Sequence, residues 1–197
     1  MIVVLPVKRF TAAKSRLGQS ALRERLTPAM VEDVMRAVSS LDVIVVSGES
    51  SIGSLTAELG FEQIEDPDQG HVAAADRGVA RAMERGADCV ALIAGDCPLI
   101  DPADLRPGSA AVVVFADRHG AGTNGLILSP PDAITPAFGA GSRARHQALA
   151  DAAGLRCEVR EASSLAIDAD TPEDIELIAA ALRASPDAAP ATARVLL

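Results

Sequence analysis

Short runs of β-branched and other apolar residues alternate along this chain with stretches of helical periodicity. Runs at 2–7, 42–47, 61–64, 89–94, 110–116, 123–129 and 156–161 read as strands. The patterns at 26–40, 51–59, 72–85, 142–153 and 171–184 read as helices. Thr27 before Pro28, and Thr171 before Pro172 with Asp174 three residues on, are helix-start signals. Gly60 and Gly86 close two of the helices. The run 89–94 is apolar without interruption, as a strand covered on both faces must be. This alternation predicts an α/β fold, a Rossmann-like, doubly wound, mostly parallel sheet in a single domain over 1–184. An Ala/Pro-rich tail, 185–197, is expected to be mobile up to its last residues. Ligands of such sheets sit outside the carboxyl ends of the strands, which directs attention to the loops after Val7, Ala94 and Ile167.

Composition narrows the chemistry. The chain has no Trp and no Tyr, so it lacks the stacking platforms of single-strand nucleic-acid binders. Its net charge of −9 also argues against a duplex-DNA partner. The charge is uneven: residues 1–25 carry six basic side chains against Glu24, a local +5, leaving −14 on the remainder. A cationic patch on an acidic protein suits a small polyanion better than a polymer. The apolar start is too short for a signal peptide or a membrane span. Cys89, Cys97 and Cys157 have no metal-like spacing, and the reading is a cytoplasmic protein.

Both lysines of the chain, Lys8 and Lys14, fall in one loop; every other basic residue is arginine. A compact ammonium on a phosphate chain is a reason to depart from arginine. The loop lacks the glycines of a Walker A or GxGxxG motif, but Lys8, Lys14 and Arg16 bring enough charge to meet a triphosphate. In Gly95-Asp96-Cys97-Pro98, a carboxylate stands at the end of a buried strand, a rigid place from which to hold a divalent cation. Asp101 is the better placed of the two to cap the next turn. In Asp168-Ala169-Asp170-Thr171, two carboxylates two residues apart in an extended segment point the same way. Asp168 reads as a ligand, with Asp170 or Thr171 as helix cap. Asp66-Pro67-Asp68 reads as a turn. The glycines around Phe138 and before Ser142 precede a helix and so prepare an anion site. His146 on that helix is compatible with a structural role.

Taken together, these residues resemble the nucleotidyltransferases related to the molybdenum-cofactor guanylyltransferases. The closer resemblance is to the family that guanylylates 2-phospho-L-lactate or phosphoenolpyruvate in biosynthesis of the deazaflavin coenzyme F-420. It is carried by Pro6-Val7-Lys8, Ala13-Lys14-Ser15-Arg16-Leu17, Met30 with Asp33, Gly95 to Leu99, Gly122-Thr123-Asn124, Phe138-Gly139 with Ser142 and His146, and Asp168 to Asp174. The resemblance implies a nucleotide-diphospho-sugar-transferase-like fold, GTP and a phosphorylated three-carbon acid as substrates, and Mg2+ on Asp96 and Asp168. It implies that Lys8, Lys14 and Arg16 face the triphosphate, with Lys14, Asp96 and Asp168 catalytic, and that Thr123, Gly139 and Ser142 bind the acceptor. One departure is visible: Gly70-His71-Val72-Ala73 stands where a Gly-Leu-Asn stretch is expected to help hold the nucleotide.

The reaction so implied needs no general base, because the acceptor's phosphate oxygen is already an anion near neutral pH. Two other classes fit parts of the pattern: a metal-dependent glycosyltransferase-like enzyme using a nucleotide sugar through Asp168 and Asp170, and a non-catalytic nucleotide-binding module. The apolar end Val195-Leu196-Leu197 offers a docking surface to a second copy of the chain, a homodimer contact.

Overall fold

The computed structural model describes residues 1–10, 20–66, 68–161 and 163–197. Among them, seven strands form one sheet: β1 (Ile2–Pro6), β2 (Val43–Val46), β3 (Glu62–Ile64), β4 (Val90–Ile93), β5 (Val112–Ala116), β6 (Thr123–Leu128) and β7 (Cys157–Arg160). Their order is β3-β2-β1-β4-β6-β5-β7. Strands β1 to β4 are mutually parallel, β7 is parallel to β5, and β6 runs against both β4 and β5. The mostly parallel sheet expected from the strand–helix alternation is therefore present.

The reversed strand brings β6 to the ligand-binding edge of the sheet. Ile93 at the end of β4 pairs with Gly125 near the start of β6, and the Ala94 amide donates to the Asn124 carbonyl at 2.9 Å. The first residues of β6 thus reach the same sheet edge as the carboxyl ends of β1 and β4.

The helices are α1 (Ser20–Ala37), α2 (Gly53–Glu58), α3 (His71–Glu84), α4 (Ser142–Ala152), α5 (Pro172–Ala184) and α6 (Pro190–Leu196). Strand side chains alternate between two cores, as a period of two requires. Val3 and Leu5 pack with Val31, Val34 and Met35 from α1 and with Val38 just after it. Ile2 and Val4 pack with Ala74, Ala75 and Val79 from α3. Helix α3 sits close to the sheet because residue 78 is glycine: a Cβ there would lie 2.2 Å from Val4 Cγ1.

Two boundaries differ from the expectation. Helix α1 begins at Ser20, and Pro28 lies in its interior instead of at its first turn. Local signals mark Thr27-Pro28 as a start, but Leu26 and Met30 are buried against Ile178 and Leu182 of α5, so tertiary packing holds the helix through the proline. The tail expected to be mobile is folded as α6, with Ala189 and Ala193 in the same cluster as Leu26 and Met30. The buried carboxylate of Asp33 accepts from the Ala191 and Thr192 amides at 3.0 and 2.7 Å, capping α6 from α1. Val195 and Leu196 are partly buried on that cluster, and Leu197 is exposed. Among the described residues, no helix is long and apolar enough to cross a membrane.

Candidate active site

A cleft of about 360 Å³ opens at the sheet edge where β1 and β4 end and β6 begins. Lys8 lies on one wall, after β1, and His71 enters from the first turn of α3. Asp96 follows β4, Thr123 and Asn124 open β6, and Phe138 and Gly139 form the opposite lip. Asp168 and Asp170 close the floor from the segment before α5.

Three half-buried carboxylates converge here. Asp96, Asp168 and Asp170 each offer an oxygen, and these oxygens lie within 4.8 Å of one another. Like charges so close repel, and a shared cation would relieve the repulsion. A side chain from another element helps to orient Asp168: the Asn124 amide donates to its Oδ1 at 3.1 Å and to the Leu165 carbonyl at 2.8 Å. The Ala169 amide donates to the Asp96 carbonyl at 3.1 Å, tying the two acidic loops together.

Downstream, Asp174 fixes the start of α5. Its Oδ2 accepts from the Asp170 and Thr171 amides at 3.2 and 2.7 Å and from the Thr171 hydroxyl. Arg118 pairs with its other oxygen. Burial alone would raise this carboxyl, and the hydrogen bonds from Thr171 and Arg118 outweigh it, holding the group below its ordinary value. Thr171 is therefore the cap, which leaves Asp170 to face the cleft.

The opposite lip is organised by α4. Gly139 and Gly141 have φ of 109° and 70°, left-handed values that favour glycine, and let the chain turn sharply into the helix. Ser142 is buried at the first turn, and its amide donates to the Gly139 carbonyl at 3.0 Å. His146 is fully buried one turn on; its Nε2 accepts from the Ala137 amide at 2.8 Å, and its Nδ1 lies 3.1 Å from Thr123 Oγ1. Burial, then Arg145, pushes the His146 pKa down to about 4. Phe138 stands edge-on between His71 and His146, with ring centroids 4.9 and 5.4 Å apart.

The Lys8 wall is built differently. The Glu49 carboxylate accepts from the Phe10 amide at 3.0 Å and from the Ser51 amide and hydroxyl, and these bonds hold its pKa below the usual carboxylate range. Arg9 reaches the Gly48 carbonyl and pairs with Asp68 at 3.2 Å. Asp66 and Asp68 form the expected turn, the Asp68 amide donating to Asp66 Oδ1. Burial, then the Lys8 charge, lowers the His71 pKa against the opposing pull of Asp96 and Asp66.

Of the residues singled out from the sequence, Lys8, Asp96, Asp168, Thr123 and Gly139 line this one cleft, and Ser142 stands just behind Gly139. Lys14 and Arg16 lie outside the described residues. The sequence alone assigns no role to Asn124 and offers Asp170 as one of two candidate caps, or with Asp168 as the metal motif of the glycosyltransferase alternative. The signal for Asp170 is present in the two-residue spacing. His71 stands out in the sequence only as part of that departure, at the position of the expected leucine, and it lines the cleft; Val72, at the position of the expected asparagine, is exposed.

Known proteins share both the sequence pattern and the fold. The family model for guanylyl transferases of the CofC-like type matches residues 1–181. A phosphoenolpyruvate guanylyltransferase of Conexibacter woesei is 44% identical over 191 residues, covering 89% of this chain and 85% of that protein. One of Sphaerobacter thermophilus is 36% identical over 190 residues, covering 90% and 92%. Among solved structures, one from Desulfovibrio desulfuricans named as a nucleotide-diphospho-sugar transferase superposes with a TM-score of 0.78 at 14% identity, covering 98% of this chain and 92% of that one. A CMP:2-keto-3-deoxy-manno-octonic acid synthetase superposes at 0.62, also at 14% identity, covering 94% and 98%. At such identities the likeness is one of fold.

Proposed function

The chain belongs to the guanylyl transferase CofC-like family, and on that premise we propose that it transfers GMP from GTP to phosphoenolpyruvate, releasing pyrophosphate. The product is a GDP-linked three-carbon acid, for the deazaflavin coenzyme F-420. The single observation that carries this reading is the cleft itself, in which a lysine faces three converged carboxylates, with a glycine-opened helix start on the far lip. Such a cleft suits two phosphorylated substrates held end to end, and the names of the relatives support phosphoenolpyruvate and a guanine nucleotide in those places.

In this reading an acceptor phosphate oxygen attacks the α-phosphorus of GTP. The bond to the bridging α–β oxygen breaks, and its electron pair leaves with pyrophosphate. No proton has to move, so the reaction asks for no general base beside the carboxylates. Asp96, Asp168 and Asp170 offer hard oxygen donors of the kind Mg2+ prefers and would hold it. Bound there, Mg2+ would neutralise charge on the reacting phosphates. Lys8, with Lys14 and Arg16, attracts and orients the triphosphate. Thr123, Gly139 and Ser142 bind the acceptor, the hydroxyls and the glycine-opened turn into α4 suiting its anionic groups.

The test is pyrophosphate release from GTP with magnesium and phosphoenolpyruvate. Release is expected with GTP and not with ATP or CTP at equal concentration. 2-Phospho-L-lactate in place of phosphoenolpyruvate asks which acceptor is used. No release with either acid would overturn the proposal.

A further inference from the structure

We propose that His146 is a positioning residue, holding the Thr123 side chain so that its hydroxyl hydrogen is donated into the cleft, to an anionic oxygen of the acceptor. The proposal rests on the acceptor assignment made above and adds a residue and a direction to it.

One group in this chain of hydrogen bonds has a role that is not open to choice. The Ala137 backbone N–H can only donate, and it lies 2.8 Å from His146 Nε2. Nε2 therefore carries the lone pair. A neutral imidazole with its lone pair on Nε2 carries its proton on Nδ1. Nδ1 lies 3.1 Å from Thr123 Oγ1, so in this pair the ring donates and the hydroxyl accepts. The opposite assignment, Thr123 donating to Nδ1, would set a ring N–H against the Ala137 N–H. A doubly protonated ring makes the same clash.

A hydroxyl has one hydrogen and two lone pairs. The His146 bond uses one lone pair of Thr123 and leaves the hydrogen uncommitted among the described residues. Thr123 lines the cleft, and His146 stands behind it, fully buried. The hydrogen is thus available on the cleft side. A threonine free to rotate could offer either a donor or an acceptor; this one is set as a donor, which suits an anionic oxygen. The same ring fixes the lip. Through Ala137 it ties the segment carrying Phe138 and Gly139 to α4, where Arg145 adds bonds to the carbonyls of Ala137, Phe138 and Ala140. One buried side chain therefore sets the distance between the start of β6 and the lip, the two sides between which the acceptor would sit. The lowered pKa of the ring agrees with this geometry, since it favours the neutral ring near neutral pH.

Two amide substitutions separate the two bonds. His146→Gln places its carbonyl near the former Nε2 and can still accept from Ala137, but it loses the donor to Thr123. His146→Asn places an amide near the former Nδ1 and can still donate to Thr123, but it loses Ala137. We expect His146→Gln to raise the KM for phosphoenolpyruvate by about tenfold or more, the loss expected when one hydrogen bond to a charged group is gone. The KM for GTP should stay within about threefold on the same grounds. His146→Asn, which keeps the donor but frees the lip, should raise the acceptor KM less than His146→Gln while lowering the melting temperature more, and His146→Gln in a Thr123→Val background should add nothing to the acceptor KM of Thr123→Val alone. A purely structural histidine would instead affect both substrates alike and track the melting temperature in every variant.

A second readout does not depend on turnover. In protein labelled with ¹⁵N-histidine, long-range ¹H–¹⁵N correlation spectra should show His146 as the Nδ1–H tautomer near neutral pH. An Nε2–H tautomer, or an unchanged acceptor KM in His146→Gln, would overturn this proposal. Absence of pyrophosphate release by the unmodified enzyme would instead overturn the functional reading, whatever the tautomer.

Discussion

The two walls of the cleft are made to different standards. On one side, Thr123, Asn124, Ser142 and His146 are all buried, and the polar atoms that face the site are oriented by a partner from another element. On the other, Lys8 and Arg9 are exposed, and the Arg9–Asp68 pair has side chains 46% and 56% accessible. Glu49 anchors the backbone of that loop, but Lys8 lines the cleft on a long exposed stem. The difference follows from what each wall would hold. An acceptor and a cation must be placed to a fraction of an ångström for in-line attack, which needs a preorganised frame. A triphosphate is a large polyanion, and neutralising it requires charge near it more than fixed geometry.

The sharpest way to test that contrast is at the carboxylates. Asp168→Asn should lower kcat by about a thousandfold or more, because a charge that acts on the transition state in a shielded site is worth several kcal/mol. Stability should not fall, since one of three mutually repelling carboxylates is removed while the Asn124 contact can be kept. Pyrophosphate release and a thermal melt on one preparation check both halves. A variant that loses activity only in proportion to lost stability would remove Asp168 from the site.

The second test concerns how buried the rigid wall is. The folded-state pKa of His146, about 4, lies below its ordinary 6.5, so the unfolded chain binds the extra proton first. The stability contributed by keeping the ring neutral is complete above pH 6.5 and is lost as pH falls from 6.5 through about 4. Over that window the wild type should lose about 3 kcal/mol that His146→Gln does not lose. Urea unfolding of both proteins, at neutral pH and at steps down to about pH 4, gives the difference directly, with the carboxylates common to both cancelling. Parallel curves would mean the ring is more hydrated than its burial indicates.

Next in size is Asn124. It touches no substrate in the proposed reaction, and its amide orients Asp168. Partners of metal ligands commonly contribute about tenfold to a hundredfold in metal affinity. Asn124→Ala should therefore raise the magnesium concentration for half-maximal rate by about that factor, with the maximal rate largely recovered at saturating magnesium. A fall in maximal rate without a shift in magnesium dependence would place Asn124 in contact with the reacting groups instead.

These positions also mark where the sequence stops being readable. Strands β1, β2, β4 and β5 are legible because each is an apolar run buried along its whole length. Asp96 and Asp168 stand out because each follows a strand-like run with no structural need for a carboxylate. Asn124 and His146 do not, because their meaning lies in partners 44 and 23 residues away, which no local pattern encodes. The start of α1 and the order of α6 are hidden for one shared reason. Each is stabilised by the other, through Leu26, Met30 and Asp33, and a proline-alanine composition gives no hint of such a contact.

The smallest effect should come from the cation-bearing wall. Asp68 has a φ of 55°, so Asp68→Ala would mix left-handed strain with the loss of the Arg9 pair. Asp68→Asn tolerates that backbone and removes only the charge, which makes it the cleaner probe. An exposed ion pair contributes about 0 to 1 kcal/mol, so Asp68→Asn should change stability by less than about 1 kcal/mol. The KM for GTP should move by no more than about threefold, and by less as salt is raised, because the Debye length shrinks to about 8 Å at physiological ionic strength. Steady-state kinetics at low and high salt, with the unfolding curve of the same variant, make the measurement. If Asp68→Asn proved as damaging as His146→Gln, the Lys8 wall would be held as firmly as the other, and the division between a placed acceptor and a merely neutralised triphosphate would have to be given up.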